Sequence, residues 1–341
     1  MHYLITGHTG FKGTWLTLLL KAQGHRVSGI SLDPLEVSMF NQLNVSDQLE
    51  NDFRIDIRNL NILKEQVEIA NPDVIVHLAA QPLVRISYQK PLETFEVNVI
   101  GTLNLLESTS NLKNLKSTLI ITTDKVYKNR GFTRPYVETD EIGGDDPYSA
   151  SKAAADIAAQ SWIKNFASSP TAIARAGNVI GGGDWSEDRL IPDLVKALKD
   201  GKVPNLRYPD AIRPWQHVLD CLNGYLTLIN KSLNETTSNY GQWNFGPNPR
   251  VKIDVATLTS EFTKVWTKEN NKKTWEYQNT NEPEESHFLL LDSSKSQNML
   301  NWTEKLDFNK TLEWTANWYR AFLEGSAKQE TENQISAFLK L

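Results

Sequence analysis

The sequence has little cysteine, no long apolar run and no excess of positive charge, and each shortage excludes a class of protein. Its single cysteine, Cys221, excludes an intrachain disulfide and a thiol-rich metal site, and it favours a reducing compartment, the cytoplasm. No run reaches the roughly 18 apolar residues of a membrane-spanning helix. The 36 Lys and Arg residues are outnumbered by 41 Asp and Glu, whereas nucleic-acid binding needs a cationic excess. Nucleic acid, membrane and metal are therefore not among the predicted partners.

The rest of the composition is that of a folded protein. Charged residues make up 23% and apolar residues 40% of the 341 positions, which excludes bulk disorder. A length of this size corresponds to about two domains, at roughly 150 residues each. The first residues, HYLITG, are typical of a strand that enters a glycine turn at once, so we expect no secretory leader.

The first 176 residues alternate strand-like and helix-like segments. Predicted strands cover 3–6, 27–32, 53–55, 73–78, 119–122 and 172–176, and predicted helices cover 11–23, 60–70, 94–108 and 149–166. This alternation predicts an α/β fold with a doubly wound parallel sheet, a Rossmann domain over 1–176. We expect residues 215–245 to return to that domain.

The pattern changes after Gly177, where a glycine-rich polar segment begins. Helices are predicted at 191–199, 216–232, 255–268 and 310–323, with short strands at 274–277 and 288–291. We interpret 177–325 as a smaller α/β substrate domain that interleaves with the first. The polar residues 326–341 are interpreted as a frayed or docking tail.

A glycine-rich turn follows the first predicted strand. Gly7, Gly10 and Gly13 are spaced three apart, with Phe11 opening the helix. Glycine lets the backbone approach a pyrophosphate, which then lies at the helix N-terminus. Asp33 ends the second strand 20 residues after Gly13, where a carboxylate accepts from a ribose 2′-hydroxyl and repels a 2′-phosphate. The sequence therefore predicts a dinucleotide site that prefers NAD to NADP.

Two further strand ends fall where ligands bind in such sheets. Asp56 and Ile57 follow the third strand, and Asp56 either accepts from the adenine amino group or only begins a loop. Leu78, Ala79 and Ala80 end the fourth strand. The two small alanines leave room for the cofactor backbone.

The predicted catalytic set lies after the fifth strand. Thr123, Asp124 and Lys125 end that strand, and Tyr148 and Lys152 are four apart at the start of a helix. Residues at this spacing share a helix face, and an ammonium near a phenol lowers the pKa of the phenol. The Tyr-x-x-x-Lys spacing alone occurs by chance about once in a chain of this length. Here Tyr148 lies 25 residues after the strand-end Thr123, and this position makes the Tyr-x-x-x-Lys motif informative.

The glycine spacing, HLAA, the strand-end threonine and YSASK are together similar to the extended short-chain dehydrogenase/reductase family of nucleotide-sugar enzymes, from residue 1 to about residue 318. Seven segments resemble more narrowly the CDP-glucose branch of the 4,6-dehydratases: GHTGFKG, AAQPLVR, TTDKVY, DPYSASKAAAD, ARAGNVIGGGDW, DRLIPD and RPWQHV. The resemblance implies a cytoplasmic lyase with tightly bound NAD, assembled as a homodimer or a dimer of dimers. It would dehydrate CDP-glucose to CDP-4-keto-6-deoxyglucose, which feeds dideoxyhexose synthesis for lipopolysaccharide O-antigen.

The resemblance also implies roles for the catalytic set. Tyr148 takes the proton of the sugar 4-hydroxyl while carbon 4 gives hydride to NAD⁺, and Thr123 hydrogen-bonds the same oxygen. Lys152 tunes Tyr148 and holds the nicotinamide ribose. Asp124 and Lys125 stand where the dehydratases keep the acid and base that eliminate the 6-hydroxyl. This Asp-Lys pair departs from the Asp-Glu or Glu-x of the dTDP-glucose and GDP-mannose enzymes and favours the CDP-glucose branch. Lys125 is alternatively a phosphate- or sugar-binding cation.

Five polar residues are candidate ligands of the nucleotide sugar. Asn178 is suited to donate to the diphosphate, and Arg189 and Arg213 supply guanidinium forks that match phosphate geometry. His217 is predicted to support Arg213, and Arg85 is predicted to lie near the sugar. Each of the five is alternatively a surface or capping residue.

Two other functions stay open on the sequence. One is a 4-epimerase or a 4,6-dehydratase acting on a dTDP-, UDP- or GDP-sugar, although an epimerase does not need the acid and base at Asp124 and Lys125. The other is a non-catalytic NAD-binding protein on the same fold. Such a protein would not need Thr123, Tyr148 and Lys152 together.

Overall fold

The computed structural model describes residues 1–234, 239–269, 273–277 and 287–341, which contain thirteen strands and thirteen α-helices. The strands are β1 (His2–Thr6), β2 (Arg26–Ser31), β3 (Asp52–Arg54), β4 (Val74–His77), β5 (Ser117–Ile121), β6 (Thr171–Ala176), β7 (Val179–Ile180), β8 (Asn205–Leu206), β9 (Ile212–Arg213), β10 (Gln216–His217), β11 (Asn239–Phe245), β12 (Ile253–Asp254) and β13 (Glu276–Tyr277). The helices are α1 (Phe11–Ala22), α2 (Met39–Gln42), α3 (Leu60–Ala70), α4 (Val84–Gln89), α5 (Pro91–Phe95), α6 (Gly101–Ser108), α7 (Pro147–Phe166), α8 (Leu190–Lys199), α9 (Val218–Ser232), α10 (Val255–Thr267), α11 (Ser294–Leu300), α12 (Phe308–Leu323) and α13 (Ala327–Leu339).

Seven strands form one sheet in the order β3-β2-β1-β4-β5-β6-β11, and every neighbouring pair is parallel. The first six strands have the order of a Rossmann fold, in which the strand order reverses between β1 and β4. Ligands bind beyond the carboxyl ends of the strands at such a point. The predicted doubly wound parallel sheet is confirmed.

Helices cover both faces of this sheet. Along β1, Tyr3 and Ile5 pack into one hydrophobic cluster with side chains of α1 and α9. Leu4 between them packs into a second cluster with side chains of α3, α6 and α7. Because both faces are buried, the strands are almost continuously apolar instead of alternating with polar residues.

The predicted helix over 94–108 is divided in the structure. Helix α5 ends at Phe95, a π-helical segment covers Glu96–Ile100, and α6 begins at Gly101. A Cβ atom at Gly101 would lie 2.4 Å from Cδ1 of Ile57. Glycine at this position therefore lets α6 approach the loop that follows β3.

Two other predicted elements differ from the structure. The helix predicted from residue 216 begins at Val218, because residues 216–217 pair with β7 as β10. The strand predicted at 288–291 is wrong. Phe288 and Leu291 form only isolated bridges, with Ile212 and Tyr136 respectively. Single bridges to two separate segments do not make a ladder.

The smaller part of the fold is built on three two-stranded pairs. β7 and β10 are parallel, β8 and β13 are parallel, and β9 and β12 are antiparallel. The chain then returns to the large sheet, where β11 pairs with β6. Residues 326–341, interpreted above as a tail, contain α13, which packs against α12 and α1. The exact domain boundaries stay a prediction. Within the described ranges, the helices are all too short or too polar to cross a membrane.

Candidate active site

A cavity of about 1450 Å³ lies at the carboxyl ends of the sheet strands, between the sheet and the loops of the smaller part. Eighteen of the predicted site residues line this cavity. They are Gly7, Gly10, Phe11, Gly13, Asp56, Ile57, Leu78, Ala79, Ala80, Arg85, Thr123, Asp124, Lys125, Tyr148, Lys152, Asn178, Arg189 and Arg213. Two nominated residues, Asp33 and His217, do not line it.

The glycine turn forms one end of the cavity. Gly7 has a φ of 76°, a conformation that favours glycine, and its N–H donates to the carbonyl of Ile30 at 2.7 Å. A Cβ atom at Gly13 would lie 2.2 Å from the carbonyl oxygen of Gly7. Helix α1 begins at Phe11, and the amides of a first helical turn have no acceptor within the helix. The turn therefore offers N–H donors and close backbone approach, which fits the pyrophosphate of a dinucleotide.

Of the two acidic residues predicted to bind the adenosine half of the cofactor, only Asp56 lines the cavity. Asp33 is exposed and outside the cavity lining, where Ser31 and Leu32 form the wall. Its contact with a ribose stays a prediction. Asp56 lines the cavity, but both of its carboxylate oxygens accept from Arg58, whose Nη2 lies 2.6 Å from Oδ2. These hydrogen bonds lower the pKa of Asp56. Arg58 was not among the predicted site residues. Its position two residues after Asp56 could have indicated that it pairs with this carboxylate.

Thr123 is at the centre of a short hydrogen-bond chain. Its Oγ1 donates to Oδ1 of Asp124 at 2.9 Å and accepts from the backbone N–H of Lys125 at 3.3 Å. Tyr148 lies in the first turn of α7, and Asp146 caps that helix by accepting from the N–H of Ser149. The strand end and the helix start thus meet at one place.

The pKa of Tyr148 is raised to about 12, chiefly by burial and also by the nearby Asp124 and Asp146. The charge of Arg189 and a hydrogen bond with Thr123 lower it. The predicted shift of the pKa of this phenol towards neutrality is therefore wrong for the protein without ligands, because the cost of burying a phenolate exceeds the stabilisation from Arg189 and Thr123.

Lys152 points its ammonium at the end of the fifth strand. Its Nζ donates to the carbonyl of Ile121 at 3.0 Å. Burial and the nearby charge of Lys12 lower the pKa of Lys152 to about 8, while Asp156 raises it. Lys12 also lines the cavity, and its Nζ lies 3.4 Å from the hydroxyl of Tyr225. It was not nominated, although it stands inside the glycine motif itself.

Asp124 is a buried acid of the cavity. It is 3% exposed, and its Oδ2 makes no hydrogen bond within the described residues. Burial raises its pKa, against the lowering effects of Lys125, Thr123 and Arg213. A Cβ atom at Gly177 would lie 2.9 Å from this oxygen, so glycine is needed beside it. A raised pKa favours the protonated carboxyl, the form that can donate a proton into the cavity.

The four candidate ligands of the nucleotide sugar other than His217 also line the cavity. Arg213 is buried in β9, and its Nη1 donates to the carbonyl of Ile212 at 3.0 Å. Arg189 precedes α8, with Nε 4.0 Å from Oδ2 of Asp184. Arg85 forms an ion pair with Asp188 across the cavity mouth. Asn178 lines the cavity after β6.

His217 does not support Arg213, and that prediction is wrong. Both residues belong to short strands, so their spacing of four does not make a helical turn. The imidazole is fully buried between Trp15 and Trp314, and its Nδ1 accepts from the N–H of Leu219 at 3.2 Å. Burial lowers the pKa of His217 to about 3. It is a neutral cap of α9.

Comparison with known proteins agrees with this geometry. Residues 4–315 match the family model described as GDP-mannose 4,6 dehydratase. The chain belongs to the GDP-mannose 4,6-dehydratase family. The CDP-glucose 4,6-dehydratase of Salmonella typhimurium is 37% identical over 98% of this chain and 96% of its own length. The dTDP-glucose 4,6-dehydratase of Haemophilus influenzae is 29% identical over 94% and 98% respectively.

Solved structures share the fold of this GDP-mannose 4,6-dehydratase family member. The UDP-glucose 4-epimerase of Thermotoga maritima, in a structure with UDP-glucose, has a TM-score of 0.82 at 21% identity and covers 95% of this chain and 100% of its own. The dTDP-glucose 4,6-dehydratase of Bacillus anthracis, in complex with NAD, has a TM-score of 0.80 at 24% identity, with 95% and 98% covered. At these identities the likeness concerns the fold, and one fold serves both reactions.

Proposed function

We propose that this family member is an NAD-dependent CDP-glucose 4,6-dehydratase, a cytoplasmic lyase that forms CDP-4-keto-6-deoxyglucose. The relative of that name, similar over nearly the whole of both chains, supports the substrate. The observation that carries the reaction type is Asp124, a buried carboxyl with a raised pKa and one unpaired oxygen, beside Thr123 and Lys125. An epimerase has no use for such an acid.

The cavity fits NAD. The glycine turn and the N-terminus of α1 would hold the pyrophosphate, Asp56 and Ile57 the adenine, and residues 78–80 the backbone of the cofactor. Tyr148 and Lys152 would hold the nicotinamide ribose. Bound NAD⁺ supplies an acceptor for the hydride of carbon 4, and the same hydride later reduces carbon 6.

The first task of the protein is to take a proton. Tyr148 receives the proton of the sugar 4-hydroxyl, and Thr123 hydrogen-bonds the same oxygen. Arg189 stabilises the phenolate, since its charge lowers the pKa of Tyr148. In the ligand-free cavity burial raises the pKa of Tyr148 to about 12, which disfavours the phenolate there.

The second task is elimination. The 4-ketone acidifies the hydrogen at carbon 5, and Lys125, acting as the neutral amine, removes it as a proton. Asp124 gives its proton to the 6-hydroxyl, so that the bond between carbon 6 and oxygen breaks and water leaves. After hydride reaches carbon 6, a proton returns to carbon 5. Arg213, Arg189 and Asn178 hold the diphosphate during these steps.

We also propose that the protein assembles as a homodimer, either alone or as half of a dimer of dimers. Leu92 in α5 is 72% exposed, Ile100 in the π-helical segment 48%, and Ile157 in α7 52%, and these elements pack side by side. An apolar face of this kind is typical of an interface. Light scattering should give a dimer mass that Leu92→Glu reduces, whereas Ile69→Glu, at an exposed isoleucine of α3, should not change it. A monomeric wild type would refute the assembly.

The function is tested by incubating the NAD-loaded protein with CDP-, dTDP-, UDP- and GDP-hexoses. We expect CDP-glucose to lose one water and to give a 4-keto-6-deoxy sugar, detected by mass spectrometry. Water loss only from another nucleotide sugar would contradict the cytidine assignment. An isomer formed without loss of water would contradict dehydration itself.

A further inference from the structure

Residues 181–189, here called the arginine loop, connect β7 with α8 and carry Arg189 to the cavity. Gly181, Asp184, Ser186, Asp188 and Arg189 all line the cavity. The loop is polar and glycine-rich, and its one large apolar side chain, Trp185, packs outside the loop against Tyr319 and Phe322 of α12. The charge of Arg189 nevertheless acts on Tyr148 and lowers the pKa of that phenol. Its position must therefore be fixed from outside the loop.

Aromatic side chains of two helices hold the loop backbone. The hydroxyl of Tyr319 in α12 donates to the carbonyl of Asp184 at 2.5 Å. Nε1 of Trp15 in α1 donates to the carbonyl of Gly182 at 2.8 Å. A Cβ atom at Gly182 would lie 2.0 Å from Cγ of Trp318, so the loop backbone packs directly on that indole. Two carbonyls and one glycine are thus fixed.

Asp184 links the held backbone to Arg189. Its side chain is almost fully buried, Oδ1 accepts from the N–H of Ser186 at 3.0 Å, and Oδ2 lies 4.0 Å from Nε of Arg189. The hydroxyl of Tyr319 is bonded to the carbonyl of this same residue. A shift of Asp184 would therefore be passed to Arg189.

Helix α13 forms hydrogen bonds with residues of α12, the helix that carries Trp318 and Tyr319. Nε1 of Trp318 donates to Oγ1 of Thr331 at 2.7 Å, and Nε2 of Gln334 donates to the carbonyl of Trp314 at 2.8 Å. The family model matches only residues 4–315, so Trp318, Tyr319 and all of α13 lie beyond the match. Helix α13 thus supports the loop through the side chains of α12.

We propose that Tyr319, held in place by α12 and α13, is a positioning residue for the nucleotide-sugar site. It fixes Asp184 and, through Asp184, the guanidinium of Arg189 beside the diphosphate and Tyr148. The proposal rests on the proposed function, since the ligand of Arg189 is the diphosphate of a nucleotide sugar.

The test is Tyr319→Phe in the full-length, NAD-loaded protein. The variant keeps the ring against Trp185 and loses only the hydroxyl. We expect the KM for CDP-glucose and the Kd for CDP, measured by calorimetry, to rise about five-fold, the effect of one hydrogen bond. The NAD content should not change. Thr331→Val should shift both constants in the same direction by less, because it acts one step further away.

The matched control is Tyr240→Phe. The hydroxyl of Tyr240 also donates to a backbone carbonyl, that of Lys231, at 3.4 Å, and this tyrosine does not line the cavity. Its KM and Kd should equal those of the wild type. The comparison separates loss of a tyrosine hydroxyl in general from loss of the one that holds the loop.

The pH profile gives a readout that simple destabilisation would not move. The phenol of Tyr148 faces Arg189, which lowers its pKa, and Asp124 and Asp146, which raise it, with Tyr225 also close by. If Arg189 moves away, ionisation of Tyr148 becomes harder. The acid limb of the NADH-forming step should then move to higher pH in Tyr319→Phe and stay in place in Tyr240→Phe.

If Tyr319→Phe keeps the KM, the CDP affinity and the pH profile of the wild type, the proposal is overturned, even if the Tm is lower. If Tyr319→Phe does not fold, wild-type values in Thr331→Val overturn it instead. Failure of the proposed function looks different. In that case wild-type protein would not turn over CDP-glucose, and the Kd series with CDP, dTDP, UDP and GDP would still measure the effect of Tyr319.

Discussion

Replacing Asp124 with Asn should separate oxidation of the sugar from elimination of water. The two side chains have nearly the same shape. The remaining amide oxygen can still accept from Oγ1 of Thr123, as Oδ1 of Asp124 does at 2.9 Å. The hydrogen-bond chain beside Tyr148 is therefore kept. What is lost is the proton that the buried carboxyl gives to the departing 6-hydroxyl.

The expected decrease in the rate of elimination follows from the loss of this one proton donor. Losing a general acid lowers the rate of its step by about 10²- to 10⁴-fold. Hydride transfer from carbon 4 should change much less, because neither Tyr148 nor Thr123 loses its partner. The pH dependence should change as well. Burial raises the pKa of Asp124, so wild-type elimination slows as pH rises through that value, and the Asn variant should lack this slope.

The assay is a single turnover with enzyme in excess over CDP-glucose, with NADH absorbance and quenched product followed together. Asp124→Asn should accumulate NADH and release little dehydrated sugar. Lys125→Ala should also stall after NADH forms, but it should additionally lose solvent-deuterium exchange at carbon 5. Asp124→Asn should keep that exchange. Product at the wild-type rate from Asp124→Asn would refute the acid role, and loss of exchange in that variant alone would reverse the two assignments.

Three further predictions concern other parts of the molecule. Gly13→Ala places a Cβ 2.2 Å from the carbonyl of Gly7, so the turn must shift and most bound NAD should be lost, as measured in the supernatant of denatured protein; a full complement of NAD would contradict the pyrophosphate assignment. Arg213→Ala should raise the KM for CDP-glucose about 10- to 100-fold with a smaller change in kcat, since charged hydrogen bonds contribute about 1.5–3 kcal/mol in ground and transition states alike; unchanged kinetics would remove Arg213 from the site. Burial raises the pKa of Asp220 to about 7, so the folded state binds this proton more tightly than the unfolded state. Stability should therefore fall as pH rises from about 4 to 7, by at most about 4 kcal/mol. Asp220→Asn should reduce this fall, measured as Tm across pH; an unchanged slope would show that burial does not raise the pKa of this carboxyl.

Local patterns predicted the sheet well because its strands are short, apolar and buried on both faces. Leu4 and Ile5 in β1 pack into opposite clusters, and such a strand reads as apolar throughout. The glycine turn and the strand-end residues were also predictable, since their function depends on their place at the ends of elements. Gly7, Thr123 and Tyr148 all line the cavity.

Properties that depend on distant residues could not be predicted. The pKa of Tyr148 is set by its burial and by Arg189, which is 41 positions away in the chain. His217 was predicted to support Arg213 because it lies four residues after that arginine, yet Trp15 and Trp314 enclose it. A spacing of four residues also has no fixed meaning until the element is known to be a helix or a strand.

The position of β11 at the edge of the sheet has a consequence for folding during synthesis. β6 pairs with β5 on one side and with β11 on the other. When residue 176 has left the ribosome, six strands can associate, but the far edge of β6 exposes unpaired backbone donors and acceptors until residue 245 follows. Such an edge is a template for pairing with other chains. Expressed alone, residues 1–176 should therefore aggregate, and chains stalled between residues 176 and 245 should be the ones most dependent on chaperones.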